Sequence, residues 1–178
     1  MAEFFETQVQ DDTPQDAIGR FLMAWSKLSA FGGVVVLVLI CLIATASVIG
    51  RALFATPIKG DVELVQLGCS WAIAAFLPYG QMKKAHVIVD FFTLKAPKSL
   101  RCVFDIFAAV LLALFALLLM WRSYFGAVDA IKHGTTTMIL GMPEWIAHIT
   151  IAPGFFLLAL TALYTAWQFI KNYDGYAK

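Results

Sequence analysis

The chain has 178 residues, of which 61% are hydrophobic and 14% charged, with a formal net charge of +1. That composition excludes an ordinary soluble domain and places the chain among integral membrane proteins. The near-neutral balance also argues against nucleic acid as a partner, so the 13 Lys and Arg residues matter through where they lie.

Residues 1–12 are acidic and are expected to form a disordered N-terminus. Thr13-Pro14-Gln15-Asp16 then reads as a helix start, with Thr13 as N-cap and Pro14 at the first helical position. Ile18, Phe21, Leu22, Trp25 and Leu28 recur at helical spacing opposite Asp16, Arg20 and Lys27. This predicts an amphipathic helix over 13–27, lying along the cytoplasmic membrane surface. The alternative is direct continuation into the first span; Gly32-Gly33 offers a bend between the two. Ala44-Thr45-Ala46 has the small residues of a cleavage site, but the long acidic start is unlike the short basic start of a signal peptide, so the first span is expected to stay.

Four runs approach or exceed the roughly 20 residues needed to cross a hydrocarbon core about 30 Å thick. They cover residues 28–50, 64–82, 102–121 and 145–170, within a membrane domain of residues 28–170 that a cytoplasmic tail, 171–178, follows. Lipid offers the backbone no hydrogen-bond partners, so each run is expected to be a helix. The fold class is therefore all-α integral membrane: four transmembrane helices plus cytoplasmic-side amphipathic surface helices. Counting Lys and Arg by compartment puts nine on the side of the termini and the central connector, and four (Arg51, Lys59, Arg122, Lys132) on the other. By the positive-inside rule both termini are cytoplasmic. Trp121 and Trp145 at outer span ends, and Trp25, Trp167 and Tyr173 at inner ones, agree with that orientation.

The connectors hold most of the polar side chains. Asp61 and Glu63 precede the second span, where carboxylates satisfy free amides and face the positive end of the helix dipole. A sharper expectation is that Glu63, or its pairing with Arg51, holds the first two spans in register. Gly68, Ala72 and Ala75 align on one side of the second span, a stripe that suits either close approach by another helix or internal packing. The central connector starts at Gly80, and residues 84–94 are too short to cross again; they predict an interfacial helix in contact with membrane lipids. His86 and Asp90 stand four apart there and read as a solvated structural pair. Pro97 ends the segment, and Arg101, Lys83 and Lys84 are candidate partners for Asp105 at the start of the third span. On the outer side, Gly134-Thr135-Thr136-Thr137 ends a helical extension of the third span, and Gly141-Met142-Pro143-Glu144-Trp145 restarts a helix with Pro143 at its first position. Pro78 and Pro153-Gly154 are expected to bend the second and fourth spans.

No catalytic or cofactor-binding residues are expected. Cys41, Cys69 and Cys102 lack CxxC spacing and read as apolar packers, and there is no zinc-ligand spacing, phosphate-cradling loop or nucleophile elbow. His133 and His148 share a side, which keeps open a haem-binding anchor of a redox enzyme as a second hypothesis. A small self-assembling exporter is the third. No ionisable residue is expected at mid-depth and no pair of similar halves is visible, so the chain reads as a subunit without transport machinery of its own.

Taken together, several of these residues resemble a known family, the small membrane subunit of tripartite ATP-independent periplasmic (TRAP) transporters, DctQ-like. The likeness rests on Arg51 closing the first span, Gly60-Asp61-Val62-Glu63-Leu64 opening the second, Gly80 leading to His86-Val87-Ile88-Val89-Asp90, then Pro97 and Arg101. Met142-Pro143 with Trp145, followed by Pro153-Gly154, is similar to the start of the family's last span. The resemblance implies a bacterial or archaeal inner-membrane protein without cofactors that binds a large multi-span permease subunit. That partner would carry the substrate and sodium sites, and a periplasmic substrate-binding protein would deliver an organic acid. The small subunit would be static scaffold.

Overall fold

A computed structural model describes residues 16–54, 59–83 and 98–176, and of these the side chains of 98–102 and 172–176 are left aside. The fold is all-helical. The helices are α1 (Ala17–Phe54), α2 (Asp61–Met82), α3 (Lys98–His133) and α4 (Trp145–Tyr176), each long and apolar enough to cross a membrane. Among the described residues the one β-type pairing is an isolated bridge between Thr136 and Pro143.

The helices stand in a row. α1 packs on α2, α2 on α4, and α4 on α3, while α1 reaches α4 only lightly. α2 and α4 form the middle, and α1 and α3 flank them with long apolar faces turned outward, including Phe31, Leu42, Phe107 and Leu114. This follows from what lipid does to a helix: apolar side chains gain nothing by leaving hydrocarbon, so contacts form where small side chains let backbones close up. The buried apolar set accordingly contains eleven alanines, among them Ala72, Ala113, Ala116, Ala159 and Ala162. One end of the row holds the start of α1 and the end of α4; the other, the distal end, holds the end of α1, the start of α2 and the α3–α4 connector. At the terminal end Leu22 and Met23 of α1, Met82 of α2 and Tyr164 of α4 form a small cluster, and Lys171 lies 4.0 Å from Asp16.

Three expectations change. The surface helix expected over 13–27 is, where described, the first turns of one uninterrupted α1 of 38 residues, about 57 Å long. Gly32 and Gly33 do not interrupt it; Gly33 lies against Ala75 and Phe76 of α2 and gives that contact its room. Leu22, Met23 and Ser26 turn inward, leaving Ile18, Phe21, Trp25 and Leu28 as an exposed stripe. The tail expected from 171 continues α4 to Tyr176. Pro143 lies two residues before α4, in the bridge with Thr136, and the helix opens with short bonds from Ile146 and Ala147 N–H to the carbonyls of Pro143 and Glu144. The interfacial helix over 84–94, with His86, Asp90 and Pro97, lies outside the described residues.

Candidate functional site

Two features organise the chain, a polar clasp at the distal end and a small-residue seam at mid-depth. The clasp starts where α3 stops. Gly134 takes a left-handed conformation (φ 62°), open to a residue without a Cβ, and Thr135 N–H bonds back to the Ala130 carbonyl at 3.2 Å, closing the helix as a Schellman turn. Thr137 then folds the connector on itself: its N–H donates to Met142 O at 2.8 Å and its Oγ1 accepts from Met142 N–H at 3.0 Å. The tip, residues 138–140, lands on the start of α2. There the Glu63 carboxylate accepts the N–H of Ile139 at 2.8 Å and of Leu140 at 3.0 Å, while the Leu140 side chain lies on Gly60.

The other carboxylate at this helix start ties α2 to α1. Asp61 accepts from Ser47 Oγ at 2.5 Å, a hydroxyl that is fully buried, and Arg51 stands 3.8 Å away with most of its side chain in the open. The expected partnership is therefore reassigned: Arg51 faces Asp61, and Glu63 holds backbone from the α3–α4 connector. Asp61 also accepts from Val62 N–H at 2.8 Å, so it meets a free amide of the helix start as expected.

The seam lies between α2 and α4. Pro78, buried in α2, has no N–H to offer the Ala74 carbonyl four residues back. That oxygen faces Gly154 of α4 so closely that a Cβ there would stand 2.6 Å from it. A glycine Cα–H thus covers a carbonyl that lipid would leave bare. On the α1 side, Gly68 meets Ile40, Ala75 meets Gly33, and Ser29 Oγ donates to the Ala75 carbonyl at 3.1 Å. Ala72 is wholly buried, so the stripe formed by Gly68, Ala72 and Ala75 is spent on packing inside the chain.

The remaining expected residues scatter. Gly80 has open space around its Cα, Asp105 is half-buried near the start of α3, and Arg101 lies in the first turns of that helix. Trp145 opens α4. Sequence reasoning passed over Ser47, Thr137 and Ile139-Leu140; hydroxyls and backbone amides carry no charge signal, although the Thr run beside Gly134 and Gly141 did mark a structured turn.

A cleft of about 700 Å³ lies between the distal halves of α3 and α4, lined among others by Arg122, Asp129, His133, Glu144 and His148. It brings the two histidines considered for haem to one place but commits them differently. His133 Nδ1 sits 3.0 Å from the Asp129 carbonyl oxygen in its own helix, whereas the His148 ring packs on Gly126. Among the described residues no group of three or more His, Cys, Asp or Glu could hold a metal ion.

A family model described as tripartite ATP-independent periplasmic transporters, DctQ component, matches residues 40–172. The matched region runs from the middle of α1 to α4 and contains both the clasp and the seam. Nothing matches among curated proteins or among solved structures.

Proposed function

The chain belongs to the DctQ component family of tripartite ATP-independent periplasmic transporters, and on that premise we propose that it is the non-catalytic scaffold subunit of such a system. In this reading it supports sodium-coupled uptake of an organic acid by a large permease subunit that a periplasmic binding protein supplies. The observation that carries the reading is the row of helices. α2 and α4 are locked together by backbone-level contacts, while α1 and α3 each keep a long apolar face exposed among the described residues. A static wall with two unused membrane faces suits a subunit that widens the frame of another membrane protein; the exposed stripe on α1, Ile18, Phe21, Trp25 and Leu28, extends one of those faces.

The termini and central connector are cytoplasmic in this reading, and the clasp faces the periplasm. Neutral replacement of Lys83, Lys84, Lys95 and Lys98 would reduce the inner excess of basic residues from nine against four to five against four. Reporter fusions to both termini are expected to become mixed in orientation; uniform fusions with full complex assembly would show that packing sets the topology. The decisive experiment for the function is reconstitution. Proteoliposomes holding this chain alone are expected to take up no organic acid, and those holding it with its permease and binding protein should do so only with a sodium gradient. Uptake by the chain alone would sink the proposal. An absorption spectrum of the same preparation tests the haem-anchor reading, which needs a Soret band lost on replacing His133 or His148.

A further inference from the structure

Arg122 lies far deeper than the end of its apolar run suggests. Two contacts fix the level: Gly126 of α3 meets the His148 ring of α4, and Gly154 of α4 meets the Ala74 carbonyl of α2. Counted four residues along from the first contact, Arg122 is level with Ala152; counted two residues from the second, Ala152 is level with Ala72. Ala72 stands eleven residues inside Asp61, about 16 Å along the α2 axis, too far for the guanidinium to snorkel to the distal surface. On α1 the same level falls at Val36, because Gly68 meets Ile40 and Gly33 meets Ala75.

The two flanks of the row thus offer the membrane different chemistry at one depth. Around Val36, residues 34–40 of α1 are all aliphatic. Around Arg122, residues 121–125 of α3 read Trp-Arg-Ser-Tyr-Phe; Trp121, Arg122, Tyr124 and Phe125 are exposed, and the Trp121 and Phe125 rings lie 5.2 Å apart. Hydrocarbon suits the first patch and not the second, since a guanidinium at mid-depth is costly unless an anion or water meets it. Among the described residues Arg122 makes no ion pair. Asp129, about two turns distal, already lies 3.4 Å from His133, and Glu144 precedes α4 at the distal end. An arginine beside exposed aromatic rings is, moreover, the composition of the centre of a protein interface.

We propose that this patch of α3 docks a neighbouring membrane protein, through a helix that carries an Asp or Glu at mid-depth. The carboxylate pairs with Arg122, and apolar side chains of the same helix pack on Trp121 and Phe125. The inference rests on the scaffold reading above, which makes that neighbour the large permease subunit; it adds the face, the depth and the sign of the charge. The forked guanidinium offers a carboxylate two parallel bonds. A neutral or cationic group in the carboxylate's place would leave the guanidinium buried and unpaired, so the pair also selects the partner. The aliphatic surface of α1 at this depth suits lipid.

The test is co-purification of the tagged full-length chain with its permease from membranes in mild detergent. The wild type is expected to retain the permease. Arg122→Gln should weaken retention about thirtyfold or more, as when one partner of a buried charge pair is removed, and Arg122→Lys should restore part of it. Arg122→Glu should abolish retention, and Lys in place of one mid-depth Asp or Glu of the permease should bring it back, a repair that lost packing alone would not allow. If the Arg122 variants do not fold, benzoylphenylalanine in place of Phe125, with Arg122 intact, should photo-crosslink to the permease. Undiminished retention by Arg122→Gln would mean that water meets the charge; it overturns the proposal and leaves the scaffold reading standing. So does rescue at none of the permease carboxylates, or a crosslink from position 125 only to lipid or to a second copy of this chain. A wild-type chain that retains no permease overturns both.

Discussion

α2 is held at two levels, by α4 at mid-depth and by the α3–α4 connector at its distal tip, and the two attachments use different chemistry. Against α4 at mid-depth there is one glycine on one carbonyl, and the polar side chain at that level, Ser29, reaches α2 from α1 instead. At the tip a carboxylate grips two backbone amides and a second carboxylate grips a hydroxyl. Water explains the difference. Inside hydrocarbon, apolar burial supplies no drive, so helices associate by proximity and by covering exposed backbone. Where water begins, carboxylates remain charged at little cost and their directional bonds set the register of the helix ends.

That contrast sets the order of expected damage. Gly154→Leu should be the most harmful change, because the atom a side chain would strike is the Ala74 backbone and neither helix can yield locally; about 3 kcal/mol of stability should be lost, read as a lower thermal midpoint in detergent. Glu63→Ala comes next, at about 2 kcal/mol, since two amides lose a charged acceptor. Its signature is local: hydrogen exchange should quicken at Ile139 and Leu140 while α2 and α4 stay protected at mid-depth. Ser47→Ala, which removes one buried hydroxyl from Asp61, should cost about 1 kcal/mol. Arg51→Ala should cost less than about 0.5 kcal/mol, because the pair is long and the guanidinium is mostly in the open. If Arg51→Ala proved worse than Glu63→Ala, the clasp would be a matter of charge pairing and the contrast drawn here would fail.

Much of this was legible in the sequence, and the exceptions share a cause. Span number and helical character follow from run length and the backbone's need for internal bonds, and the end of α3 at Gly134 follows from turn chemistry. Pro78 and Pro153-Gly154 both stood out, yet each was read as a bend in its own helix. That the carbonyl Pro78 frees lies against Gly154 depends on inter-helix register, which one sequence does not display. Glu63 was likewise offered the nearest opposite charge, Arg51, when its partners are backbone amides 76 and 77 residues away.

The length of α1 has a mechanical consequence. This unbroken helix is gripped near one end by the Leu22–Met82–Tyr164 cluster and near the other by the Ser47–Asp61 bond. A rod fixed at two separated points resists rocking as well as sliding. A sideways push from a neighbouring protein in either leaflet would be passed along α1 to the opposite face of the bilayer instead of dissipating as a local tilt.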